Sequence, residues 1–229
     1  MSVLLSTALT NVRSLLDEPN PQFWQNSELT NWINEACADI ARRVEWKRTT
    51  ANITVTEGTQ DYTAPEDVYR IYRLEYVPVG SDSQTTYTCE FRGYMEMDQI
   101  WGINQQWPAS YPLYYTLWKV PPSMTIILYP VPAQGGQLNV YYYQQITPAS
   151  NPDTDYIDAL EGWEDVVYDY AVYRALRKDA DPRWQEFKAT YEDKIMYMID
   201  STRTFQDQAG TFSTGQAALP EWLVSDGLY

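Results

Sequence analysis

Apolar side chains recur at helical spacing at both ends of the chain and at alternate positions in its middle. Leu5, Leu9, Val12 and Leu16 share one face and predict a helix over residues 3–16. Asp17-Glu18-Pro19-Asn20-Pro21 ends it, because proline cannot continue a helix and restricts the residue before it. After a turn at Phe23-Trp24-Gln25-Asn26, Leu29, Trp32, Ile33, Ala36, Cys37, Ile40 and Val44 make a second stripe. Ser27 reads as its N-cap, with Glu28 in the favourable first turn. Arg42, Arg43, Lys47 and Arg48 collect near its C-terminal end, where cations suit the helix dipole and salt bridges without any ligand; the alternative is contact with a partner protein or DNA.

From about residue 50 the period changes to two. Asn52 to Thr56, Asp61 to Pro65 and Val68 to Val79 read as strands, joined by turns such as Glu57-Gly58-Thr59-Gln60. Thr85 to Arg92 is another. Tyr94 to Trp101 reads as one or two helical turns, and Asn104 to Pro112 as a loop carrying Trp107. Leu113 to Trp118, Met124 to Tyr129 and Gln137 to Gln145 complete the set, with Pro121-Pro122 and Gly135-Gly136 at the turns. Short strands at this spacing predict a small sandwich or barrel.

A Pro/Asp/Ser linker, Thr147 to Asp155, leads back to helix. Asp158 and Glu161 are spaced like a capping box, followed by a stripe of Leu160, Trp163, Val167 and Tyr170 with small faces at Ala171 and Ala175. Asp181 caps the next helix with Pro182 at its first position, and Trp184, Phe187, Tyr191, Ile195, Met198, Thr202 and Phe205 step by three or four. Residues 206–229 break the pattern. They carry three acids and no base, several small residues, and a late apolar cluster at Leu219, Trp222, Leu223, Leu228 and Tyr229. An apolar cluster at the end of such a segment predicts docking, onto a neighbour or back onto the chain's own surface.

Charge removes several function classes. The 31 acids and 16 bases leave a formal charge of −15. That argues against general binding to nucleic acid or anionic membrane, which needs a basic footprint. No apolar run approaches the ~20 residues of a membrane span, and the N-terminus lacks the features of a signal peptide. With no histidine there is no histidine triad, zincin motif or histidine base. Cys37 and Cys89 cannot build a Cys/His zinc site within one chain and read as reduced.

Two features invite sharper chemistry. Asp153 to Asp169 holds seven carboxylates and no base, which could be a metal site or a glycosidase-like acid pair. The plainer reading is a helix N-terminus collecting acids. The aromatics Trp107, Tyr114, Tyr115, Trp118 and Tyr141-Tyr142-Tyr143 could form a glycan platform. Consecutive tyrosines on a strand point to both faces, however, so one face is core and the other, with Tyr141 and Tyr143, is an interface candidate alongside Trp107. No phosphate-cradling glycine loop or nucleophile elbow is present, so the sequence names no catalytic, cofactor-binding or metal residues.

The order of elements resembles the head-to-tail adaptor (connector) proteins of tailed bacteriophages. The residues that carry the resemblance are Val12-Arg13-x-x-Leu16-Asp17, then Phe23-Trp24-x-x-x-Glu28-Leu29-x-x-Trp32-Ile33-Asn34-Glu35-Ala36. Gly58-Thr59-Gln60-Asp61-Tyr62-x-x-Pro65-x-Asp67-Val68 and Tyr173-Arg174-Ala175-Leu176-x-Lys178-Asp179 follow in the same order. The high tyrosine content and the aromatic-ended tail depart from it. The resemblance implies a virion protein of the neck, made in the host cytoplasm: a dodecameric ring beneath the portal protein that receives tail or nozzle proteins. DNA would pass through during packaging and ejection without specific binding. It implies no enzymatic activity, no cofactor and no membrane. It also makes Leu219, Trp222, Leu223, Leu228 and Tyr229 portal or neighbour anchors.

The expected fold is therefore α+β. A helical bundle is built from both chain ends (residues 1–48 and 150–205). An antiparallel sandwich or barrel-like insertion spans 49–149, and an extended docking tail spans 206–229. The alternative functions are a carbohydrate-binding tail or fibre-associated module using the aromatics, and a glycoside hydrolase using the carboxylates between Asp153 and Asp169.

Overall fold

The computed structural model describes residues 3–80, 86–101, 109–121 and 123–213. The elements run α1 (Leu5–Leu15), α2 (Asn26–Val44), β1 (Arg48–Val55), β2 (Asp61–Thr63), β3 (Val68–Pro78), β4 (Tyr87–Phe91), α3 (Tyr94–Trp101), β5 (Tyr114–Trp118), β6 (Thr125–Tyr129), β7 (Gly136–Gln144), α4 (Glu164–Lys178) and α5 (Trp184–Ser213). The class is α+β, as expected. Two compact units divide the chain: one takes the residues up to Val44 and those from Pro148 on, the other Glu45–Thr147.

In the helical unit α4 packs against α1, α2 and α5. Its sequence explains why it is central. Val166, Val167, Ala171, Val172, Ala175 and Leu176 are buried on several faces, so neighbours can approach from all round. Leu5, Leu9 and Val12 of α1, Leu29, Ile33 and Ile40 of α2, and Tyr191, Ile195 and Met198 of α5 complete the core. Each such side chain contributes about 1.5–3 kcal/mol by leaving water.

Three helix boundaries differ from the sequence expectation. Ser27 is not a cap, because α2 already starts at Asn26 and the Gln25 carbonyl takes the first helical bonds, from the N–H groups of Glu28 and Leu29. The Asn26 side chain is drawn away to Arg13, whose Nη2 donates to its Oδ1 at 2.7 Å. Asp158 and Glu161 form no capping box at the head of α4. Gly162, at φ +84°, breaks the chain there, and the Trp163 N–H turns back to the Leu160 carbonyl at 3.0 Å. The helix begins at Glu164, with Glu164 and Asp165 in the first turn. Asp181 does cap the last helix, its Oδ1 accepting the Arg183 N–H at 2.9 Å. That helix then runs on to Ser213, so residues 206–213 are helix and not tail. Gly210 interrupts this stretch alone, at a cost of about 1 kcal/mol relative to alanine, which the helix absorbs.

The other unit is a seven-stranded sheet in the order β1-β7-β3-β4-β5-β6-β2. It is not wholly antiparallel. The β4 and β5 strands pair in parallel, Glu90 opposite Tyr114 and Phe91 opposite Tyr115. The connection between them carries α3 and is long enough for the crossover a parallel pair requires. Val55 of β1 and Tyr62 of β2, from opposite edges, enter one core with Leu74, Ile126, Leu138 and Val140. The sheet therefore curls round that core in a barrel-like form. The Tyr62 hydroxyl ties the turn that joins β1 to β2, donating to the Thr59 carbonyl at 2.9 Å and accepting the Thr56 N–H at 3.2 Å.

Candidate functional site

The alternation along β7 sets up the first candidate surface. Tyr142 points into the core, and its hydroxyl donates to Asp67 Oδ1 at 2.8 Å. Tyr141 and Tyr143 take the opposite face. Register places Arg48 of β1 and Arg70 of β3 opposite Tyr143, and Thr50 and Arg73 opposite Tyr141. A register shift between Ile71 and Arg73 turns Tyr72 onto the same face, its ring centroid 5.0 Å from that of Tyr143. Arg48 lies 5.3 Å from the Tyr72 ring and 5.5 Å from the Tyr143 ring, Arg70 lies 5.1 Å from Tyr143, and Arg73 lies 5.7 Å from Tyr141.

Tyr143 is consequently covered by its own chain and only 6 % exposed. Tyr141 is half-buried, and its hydroxyl donates to Glu75 Oε2 at 2.9 Å. What this face offers outward is Tyr72, at 40 % exposure, ringed by guanidinium groups. Strand parity finds Tyr141 and Tyr143 in the sequence. The bulge that brings in Tyr72 has no signal there.

A second surface lies in the helical unit, and sequence reasoning does not single it out. It starts in the segment between α1 and α2. Buried Arg13 donates through Nη2 to the Trp24 carbonyl at 2.7 Å. Glu18 Oε1 accepts the N–H groups of Gln22 at 2.5 Å, Phe23 at 2.6 Å and Trp24 at 3.2 Å. Desolvation works to raise the Glu18 carboxyl, but these backbone donors and the Arg13 charge outweigh it and hold it below its ordinary range. Trp24 is thereby fixed edge-on to Trp32 of α2, with centroids 5.6 Å apart, and Phe23 packs against Trp24 at 4.5 Å.

The cations arrive from α4. Arg174 and Lys178, four residues apart, share the face that meets α2. Lys178 Nζ sits 5.7 Å from the Trp24 ring and 6.0 Å from the Trp32 ring, and pairs with Glu28. Arg174 Nη1 pairs with Glu35 at 3.0 Å. Arg177 lies 5.8 Å from the ring of Trp184, at the start of α5. Trp32, Arg174, Arg177 and Lys178 line an open depression of about 530 Å³. The signal available in the sequence was the pairing of Glu28 and Glu35 on one helix with Arg174 and Lys178 on another. It is legible only once the helices are known to touch.

The acidic stretch has structural partners. Asp155 Oδ2 accepts the N–H of Ser150 at 2.7 Å and of Asn151 at 2.8 Å. Those backbone donors pull its carboxyl down to about 2. Lys194 Nζ bridges Asp165 at 2.5 Å and Asp169 at 2.6 Å. Among the described residues no three metal-ligating side chains gather. In the basic cluster, Arg43 answers Glu192 at 2.6 Å and Asp39 at 3.4 Å, whereas Arg48 lies in β1, beyond the helix end. Cys37 and Cys89 are free and buried in different units, and burial pushes both thiols up to about 12. Trp107, Leu219, Trp222, Leu223, Leu228 and Tyr229 lie outside the described residues.

Comparison with known proteins adds three findings. No curated protein matches the sequence. Among solved structures, a chain from the neck of an empty GTA particle, computed with C6 symmetry, is similar to this one at 14% identity. That alignment covers 77% of this chain and 83% of that one, at a TM-score of 0.26. The SU10 adaptor protein family matches over residues 4–217, nearly the whole chain. This bears out the resemblance to adaptor proteins carried by Val12-Arg13, Phe23-Trp24, Trp32 and the Tyr173–Asp179 run. By that match, the chain belongs to the SU10 adaptor protein family.

Proposed function

We propose that this chain is a structural adaptor of a phage virion, forming a ring between the portal and the tail. It extends the DNA channel and completes the head. The observation that carries this reading is the family match across residues 4–217, which spans both units. The role is mechanical: the chain supplies surfaces to a portal, to tail proteins and to copies of itself. It acts in the neck of the particle after synthesis in the host.

The charge supports this reading. A formal charge of −15 gives the chain little to hold passing DNA, since binding to phosphates requires a basic footprint. In the assembled ring the helical unit and the segment beyond α5 engage the portal or a neighbouring copy. Leu219, Trp222, Leu223, Leu228 and Tyr229 act as anchors there, and the sheet unit meets other components.

Co-sedimentation of the purified chain with portal rings from the same virus tests this. The full chain should pellet with portal and appear by negative stain as an added ring. A chain cut after Ser213 should keep its circular dichroism and lose attachment. A full chain that binds neither portal nor tail proteins would overturn the reading.

A further inference from the structure

The depression formed by Trp32, Arg174, Arg177 and Lys178 sets an indole among three cations in a chain that is otherwise strongly acidic; Arg174 already pairs with Glu35 and Lys178 with Glu28, so Arg177, over Trp184, is the charge it offers outward. Arg177 and Lys178 are exposed, and Phe23, packed against Trp24, is 60 % exposed. Such a surface suits a ligand with carboxylates and flat apolar groups. Guanidinium and ammonium groups form charge-assisted hydrogen bonds to carboxylates, and they stack on indole rings. The chain itself carries a segment of that chemistry. Residues 214–229 hold Glu221 and Asp226, no base, and Leu219, Trp222, Leu223 and Tyr229. Tryptophan is among the residues most often found as a buried anchor at interfaces.

Geometry decides whose segment fits. Trp184, beneath Arg177, is the first residue of α5, and Ser213 is the last. At 1.5 Å of rise per residue the two ends lie about 44 Å apart. Trp222 follows Ser213 by nine residues, so it reaches about 32 Å at most, even fully extended. The backbone of the chain's own Trp222 therefore stops about 12 Å short of Trp184, while that of a second copy is free to enter. One copy exports the segment at the far end of α5 and the next receives it at the near end. This is a head-to-tail contact of the kind that closes into rings.

We propose that the segment around Glu221 and Trp222 of one copy docks into the Trp32–Arg174–Arg177–Lys178 depression of the adjacent copy. Glu221 meets Arg177, and the Trp222 ring packs against Trp32. The proposal rests on the adaptor reading for the presence of adjacent copies, and narrows the anchors to a neighbour in preference to the portal.

The test uses particles assembled with the full chain, in which Trp222 is replaced by photoreactive benzoylphenylalanine and isotopically light and heavy copies are mixed. Mass spectrometry should find cross-links from position 222 to peptides containing Trp32 or Arg177, with mixed isotope pairs. Cross-links within one copy, to the portal or to another protein, or none at all with the chain incorporated, would overturn the proposal. In parallel, Arg177→Glu should lower incorporation at least tenfold and Arg177→Glu with Glu221→Arg should restore it. Unchanged incorporation of the single variant would also overturn it. Particles of the unaltered virus that lack this chain altogether would instead sink the adaptor reading.

Discussion

Arg13 Nη1 stands 3.8 Å from Glu18 Oε1, and between them these two side chains organise the segment joining α1 to α2. Arg13 holds the Trp24 carbonyl and the Asn26 side chain, while Glu18 gathers three consecutive backbone N–H groups, from Gln22 to Trp24. A proline-rich connection that would otherwise be loose thus carries Trp24 to Lys178. Arg13→Ala should destabilise the protein by about 2–4 kcal/mol, because buried partners lose a charged donor. Arg13→Lys should recover only part, since an ammonium cannot reproduce the fork. Urea unfolding of the three proteins checks both values. Equal midpoints would remove the assigned role.

Asp155 predicts a pH dependence. Its carboxyl is held at about 2, below the ordinary 3.8, by the backbone donors of Asn151 and Ser150. A folded-state value below the unfolded one stabilises the fold above the unfolded value, and this is lost as pH falls through the folded one. The contribution should be complete above about pH 5 and should fade between about pH 4 and pH 2. Asp155→Asn should therefore be the less stable protein at neutral pH, with the gap to wild type closing in that acid window. Melting temperatures measured from pH 7 down to pH 2 check the sign.

The Tyr191 hydroxyl donates to Asp39 Oδ2 at 2.6 Å, and desolvation together with that carboxylate raises the phenol well above its usual range. Tyr191→Phe keeps the buried ring and removes a bond to a charged acceptor. The expected loss is about 1.5–3 kcal/mol. A loss under a few tenths in denaturant unfolding would show that water replaces the bond at no cost.

Ala180 ends α4 at φ +56°, a left-handed conformation that costs a non-glycine residue about 1–2 kcal/mol. Ala180→Gly should relieve part of this and raise stability by about 1 kcal/mol. An unchanged or lower midpoint would mean that glycine's greater unfolded-state freedom outweighs the relief.

The features legible in the sequence are those written in a local period. Leu5, Leu9 and Val12 mark α1, and the parity of Tyr141, Tyr142 and Tyr143 divides core from outer face. What escaped depends on contacts between distant segments or on single backbone angles. Gly162 delays α4 past the apparent capping box, and Arg13 recruits the Asn26 side chain at the start of α2. The depression escaped for the same reason. Its residues come from α2 and α4, beside Trp184 of α5, and each helix alone reads as ordinary amphipathic surface. Arg174 and Lys178 become a site only when packing sets Trp24 and Trp32 beneath them.

Electron microscopy of particles made after disruption of this gene decides whether the chain joins head to tail. The adaptor account predicts separate heads and tails, or heads that leak DNA, with normal particles restored by the gene supplied in trans. Complete tailed particles that retain their DNA would contradict it.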